Sequence, residues 1–171
     1  KSTEGLEFYE YGDGYSVGIK DGKFLDKIVI PKEHDGKKVV AIAKKGFVGC
    51  ENALTISIPD TVTEIGEGAF QNCYKLEAIE IPSSVKTIEQ EAFRRMNNLS
   101  KVIMESTVPP QLGSAAFAET GKVLIFIPEG TRSAYKEAWG DDLIFVEKEV
   151  EVSLNIETPG TLNNEILNAG Y

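Results

Sequence analysis

The chain has 171 residues, 42% of them hydrophobic and 26% charged, enough apolar material for a real core. Its net charge is −9, from 27 acidic against 18 basic residues, and it holds no basic cluster interleaved with aromatics; a phosphate backbone is repelled, which argues against a nucleic-acid partner. Its longest apolar runs, such as Val123 to Ile127, fall far short of the ~18 residues a membrane-spanning helix needs.

The chain begins Lys1-Ser2-Thr3 without a methionine, which reads as a processed or trimmed start from which an export signal was removed. In residues 1–26, Phe8-Tyr9-Glu10-Tyr11 and Tyr15-Ser16-Val17-Gly18-Ile19 alternate around Gly12-Asp13-Gly14, a hairpin signal. Asp21-Gly22 marks a second turn. The hairpin is expected to form an N-terminal cap that shields the first coil of a repeat stack.

From residue 27 to 128 the chain repeats. Phe47, Phe70 and Phe93 are spaced 23 apart, and Phe117 follows after 24. Ahead of them stand Val39-x-x-Ile42, Val62-x-x-Ile65 and Val85-x-x-Ile88. Between them lie Ile56-Ser57-Ile58-Pro59, Ile79-Glu80-Ile81-Pro82, Val102-Ile103-Met104 and Ile125-Phe126-Ile127-Pro128, and Ile28-Val29-Ile30-Pro31 opens the series. A fixed period of this length means stacked coils, an α/β solenoid in which each unit contributes a short parallel strand. The Ile-x-Ile segments alternate as strands and stop at proline, which cannot donate to a ladder. Glu67 to Cys73 suits one helical or 3₁₀ turn that buries Phe70 and Cys73 together. Four coils are expected, with Phe47, Phe70, Phe93 and Phe117 stacked as an internal spine. Two segments slip from the frame: the polar excursion Lys32 to Lys38, and Thr107-Val108-Pro109-Pro110.

Cys50 and Cys73 are also 23 apart, each three residues after the repeat Phe, where Met96 and Thr120 stand in later coils. They read either as small buried fillers of the structural core or as a bridge between adjacent coils. Coils about 5 Å apart are within bridging reach, but equivalent residues in parallel coils point the same way.

Residues 129–146 read as a C-terminal cap. Ser133 to Trp139 is a short amphipathic helix closing at Gly140, and Leu143-Ile144-Phe145-Val146 is a last strand. Trp139 is placed over the open end of the core. In residues 147–171, Val150 to Ile156 alternates like an edge strand and Pro159-Gly160-Thr161 is a turn; this segment is expected to lead into a truncated following domain.

The repeat Leu-x-x-Ile-x-Ile-Pro-x-x-Val-x-x-Ile-Gly-x-x-Ala-Phe-x-x-Cys resembles the BspA-like leucine-rich repeats of Bacteroidetes surface proteins. Its best unit runs from Ile58 to Cys73, and the likeness covers about residues 28–146. Met104-Glu105 replaces Ile-Pro and Thr120 replaces Cys in individual coils. The resemblance implies a leucine-rich-repeat-like fold and a cell-surface or secreted location. It also implies adhesion to surface proteins or glycoconjugates of host or neighbouring cells.

Little points to catalysis. The single His, His34, sits in a polar loop and reads as solvated; no phosphate loop, nucleophile elbow, metal-ligand spacing or cofactor motif appears. The outward column of the strands is more informative. It reads Val29, Ser57, Glu80, Ile103, Phe126, beside Lys27, Thr55, Ala78, Lys101, Leu124. Ile103, Leu124 and Phe126, with Glu80 and Lys101, are therefore the candidate ligand-binding residues, able to hold a partner or a second copy of the chain. The competing reading is that the C-terminal cap or a following domain covers them. The function expected is a non-catalytic binding or adhesion module. A spacer presenting another domain is the alternative, and a glycan-processing enzyme needs two acids converging in a cleft.

Overall fold

Alternation in the Ile-x-Ile segments places every second side chain inside, and stacking those segments builds the first face of the molecule. The computed structural model describes residues 4–20 and 25–149. Its strands in chain order are β1 (Leu6–Tyr11), β2 (Gly14–Ile19), β3 (Lys27–Val29), β4 (Glu33–His34), β5 (Lys37–Ile42), β6 (Thr55–Ser57) and β7 (Glu64–Ile65). They continue as β8 (Ala78–Ile81), β9 (Thr87–Ile88), β10 (Lys101–Met104), β11 (Gln111–Leu112), β12 (Leu124–Ile127) and β13 (Ile144–Glu147). The helix α1 (Arg132–Trp139) precedes β13.

On the first face, β8, β10, β12 and β13 form one parallel sheet, and β3 pairs β6 in a second. Among the described residues six strands lie along this face, so they form six coils rather than the four expected. The opening segment at Ile28 and the strand assigned to the cap both occupy repeat positions. The ladder is also interrupted: β6 and β8 do not pair, and a cavity of about 230 Å³ opens beside Ser57 and Glu80.

The second face is a sheet the repeat pattern did not announce. Val62-x-x-Ile65 and Val85-x-x-Ile88 each contribute a two-residue strand, Val39-x-x-Ile42 ends the longer β5, and the order is β1-β2-β5-β7-β9-β11. The N-terminal hairpin joins it through β2, parallel to β5. Only Gly12 has positive φ in that hairpin's two-residue loop, as a type II′ turn requires. The polar excursion from Lys32 to Lys38 is a second hairpin, β4 against β5, turned at Asp35-Gly36. Both turn residues have positive φ (46° and 79°), the type I′ signature.

The third side carries the phenylalanines. It is built of successive hydrogen-bonded turns and contains no helical turn. The reason is how the N–H groups are shared. Ala69, Gln71 and Cys73 donate three residues back within their own coil, at 3.1–3.2 Å. Gly68, Phe70 and Asn72 donate instead to Gln90, Ala92 and Arg94 of the next coil, at 2.9–3.1 Å. A helix would consume every N–H internally and leave none to join the coils. The alternation demands left-handed residues, and they recur at Lys45 and Gly49, Gly68 and Asn72, Glu91 and Arg95, Ala115 and Glu119.

The core lies between the three sides. Phe47, Phe70 and Phe93 are fully buried and stacked, with centroids 5.7 and 5.9 Å apart. Phe117 extends the spine 5.2 Å from Phe93 but stays partly exposed. Trp139, carried by α1, sets its ring 6.4 Å from Phe117 and its indole N–H on the Pro110 carbonyl at 2.8 Å. Tyr135 lies fully buried beside it. The helix closes at Gly140, whose N–H reaches the Lys136 carbonyl. The expected turn at Asp21-Gly22 and the strand and linker beyond residue 149 lie outside the described residues.

Candidate functional site

The ladder on the first face brings the predicted surface residues together in register. Ile103 pairs with Phe126 on one side and Glu80 on the other, and Lys101 pairs with Leu124 and Ala78. One further strand matters. β13 sets Ile144 beside Leu124 and Val146 beside Phe126. The apolar surface thus runs across three strands, with Leu124 and Ile144 37% and 39% exposed and Ile103, Phe126 and Val146 half-buried. β13 flanks this patch and leaves it uncovered. The Lys101 ammonium lies 5.3 Å from the centroid of Phe126, a cation–π contact at the patch edge. The column is not continuous to Val29, because the ladder breaks between β6 and β8.

The cysteines are buried free thiols. Cys73 donates from Sγ to the carbonyl of Phe47 in the preceding coil, at 3.3 Å. Thr120 repeats the contact on the carbonyl of Phe93, and its Oγ1 also accepts from the Met96 N–H at 3.3 Å. At Cys73 and Thr120 the position thus donates to the preceding coil, which suits threonine there, whereas Met96 fills the same position without a donor. The thiol of Cys73 is pushed well above its usual range by its hydrogen bond with Cys50 and by burial.

A second concavity, of about 580 Å³, lies on the second face. Tyr9 and Tyr11 of the hairpin form one wall, and Glu64, Glu67 and Glu89 line the other. The Tyr11 hydroxyl donates to Glu64 at 2.8 Å, which raises the phenol's pKa. Sequence reading missed this site, because it gathers residues from 9 to 89 through a sheet that only the fold reveals.

The comparison with known families decides the identity. The model of the BspA type leucine-rich repeat region matches residues 20–142 in six copies. The chain belongs to the BspA type leucine-rich repeat family. A leucine-rich repeat protein from Bacteroides ovatus is similar in structure, with a TM-score of 0.60 and 28% identity over 86% of this chain. This chain spans 37% of that protein's length. The leucine-rich repeat protein of T. pallidum shares the fold at TM-score 0.57 and 22% identity, covering 100% of this chain and 97% of its own. A leucine rich cell surface protein from Faecalibacterium prausnitzii does so at 0.58 and 17%, covering 82% of this chain and 42% of that one. No curated protein gives a significant match.

Within the BspA type frame, the remaining chemical candidates resolve simply. His34 is not a solvated loop residue. Its ring stacks on Phe8 at 3.8 Å with planes 7° apart, and Tyr15 meets its edge at 5.1 Å. The type I′ hairpin folds it back onto the N-terminal hairpin. Among the described residues no group of three His, Cys, Asp or Glu side chains is placed to hold a metal ion. No described helix is long and apolar enough to cross a membrane. The other BspA type coil contacts are charged and external: Arg94 bridges Glu91 at 2.7 Å and Glu119 at 3.2 Å, and Arg95 also meets Glu119.

Proposed function

We propose that this chain is a non-catalytic binding module of a surface or secreted protein. It would engage proteins or glycoconjugates on host or neighbouring cells through the exposed ladder face. The observation that carries the reading is the apolar patch of Ile103, Leu124, Phe126, Ile144 and Val146, held in register on a rigid sheet and rimmed by Lys101 and Glu80. Contiguous apolar surface of this kind marks contact sites, and a preformed sheet loses little conformational entropy on binding. The family supports the location, since its members are generally surface or extracellular proteins.

The test is a binding screen of the purified chain against extracellular-matrix proteins and mucin glycans, beside a folded Ile103→Asp/Phe126→Asp variant. Binding by the parent that the variant loses is the expected result. Binding retained by the variant would move the site off this face, and silence from both would favour the spacer. Light scattering on the same pair reads out a second copy as the occupant.

A further inference from the structure

The trough on the second face is built from parts that the ladder face does not use. Its floor is made of small side chains. Tyr9, Ser16, Ala41 and Glu64 stand at register positions across β1, β2, β5 and β7, so Ser16 and Ala41 leave a gap between the Tyr9 wall and the Glu64 wall. Tyr9 and Tyr11 alternate to the same side of β1 and remain 45% and 43% exposed. Its volume of about 580 Å³ is that of a ligand site.

Charge selects the ligand. Glu10, Glu64, Glu67 and Glu89 line the trough; Glu67 lies 3.8 Å from the Lys44 ammonium and Glu10 3.7 Å from that of Lys37, which leaves Glu64 and Glu89 without a cation among the described residues. The Glu64 carboxylate accepts from the neutral Tyr11 hydroxyl, and the Glu89 carboxylate has no hydrogen bond or ion pair among the described residues, its backbone N–H alone donating, to the Ile65 carbonyl. Ser16 lines the floor at 5% exposure, and its hydroxyl has no hydrogen-bond partner among the described residues. Two tyrosine faces, the unpaired carboxylates of Glu64 and Glu89 and the Ser16 hydroxyl on the floor suit a group that is cationic, donor-rich and carried on an apolar stem. An anion is repelled, and a neutral sugar leaves the negative charge uncompensated.

We propose that this trough captures the cationic side chain, lysine or arginine, of a basic segment of a partner protein. The site is separate from the ladder patch, so either can fail without the other. The test is an NMR titration of the whole chain with three probes. They are a short peptide carrying one arginine and one lysine, its counterpart with both replaced by glutamine, and maltotetraose. The expected result is saturable shifts at Tyr9, Tyr11 and Ser16 with the basic peptide alone, weakening at higher salt. Glu89→Gln and Tyr9→Ser should each weaken binding about tenfold, a loss expected of one removed contact to a cation. A Glu129→Gln/Asp141→Asn variant, altered at the other end of the stack, should bind as the parent does. Circular dichroism checks that each variant is folded. Absence of binding, equal binding by the glutamine peptide, preference for maltotetraose, or equal loss in the far-end variant would each overturn the proposal.

Discussion

The ring of Phe70 lies 5.9 Å from that of Phe93, with the two planes only 9° from parallel, although the residues are 23 apart in sequence. Each ring closes the core of its own coil and forms the floor of the next. A coil is therefore stable only while its neighbour is.

Phe70→Ala should cost about 3–5 kcal/mol, because a fully buried aromatic is removed and both neighbouring rings lose a face. Phe117→Ala should cost less, since that ring is already partly exposed. Urea unfolding of the two variants measures the difference. Equal losses would mean that the spine does not carry the stack.

Ala115 sits in the left-handed region at φ 54°, where a β-carbon is strained. Ala115→Gly should stabilise by about 0.5–1 kcal/mol and raise Tm by roughly 2–4 °C per kcal/mol. The reverse change at the equivalent position two coils earlier, Gly68→Ala, should destabilise by about 1 kcal/mol. There φ is 61° and a β-carbon would lie 3.1 Å from Gln71 Oε1. Calorimetry on both reads opposite signs if the left-handed turns are real.

Cys73 should resist alkylation in the folded protein at mildly alkaline pH, because burial and the Cys50 hydrogen bond hold it as a thiol. In denaturant both cysteines should react, two thiols per chain. Mass spectrometry before and after unfolding checks this, and an unreactive pair in denaturant would indicate a bridge.

Tyr135 is fully buried, donates its hydroxyl to the Ser106 carbonyl at 2.7 Å, and has its pKa raised by burial. A raised folded pKa means that the folded state holds the phenol proton more tightly. The resulting stability is fully present below about pH 10 and is lost as pH rises through the folded pKa. Phenolate absorbance in an alkaline titration should show Tyr135 ionising only with unfolding. Tyr135→Phe, which orphans the Ser106 carbonyl, should cost about 1–3 kcal/mol at neutral pH.

Legibility followed the strength of each local pattern. The pairing of Ile103 with Phe126 could be read because strict alternation and a fixed period leave one register that buries both flanking side chains. The second sheet could not, because strands of two residues, such as Glu64–Ile65, have no alternation to detect. The turns at Phe70 looked helical because spacing by three places Phe and Cys on one side in either case. Only the sharing of N–H groups between coils separates the two. His34 looked solvated because its partners, Phe8 and Tyr15, come from another hairpin.

By itself the sequence determined that this chain is a stack of coils. Every unit repeats the same inward side chains, and one unit cannot bury them alone. The tertiary structure decided how the coils are joined: two sheet faces, the first broken between β6 and β8, and a column of shared turn hydrogen bonds. It also decided the surfaces. A strand assigned to the cap completed the apolar patch through Ile144 and Val146, and a hairpin assigned to the other cap walled an acidic trough with Tyr9 and Tyr11. Both depend on contacts between segments far apart in the chain, and no periodicity within one segment encodes where another will pack.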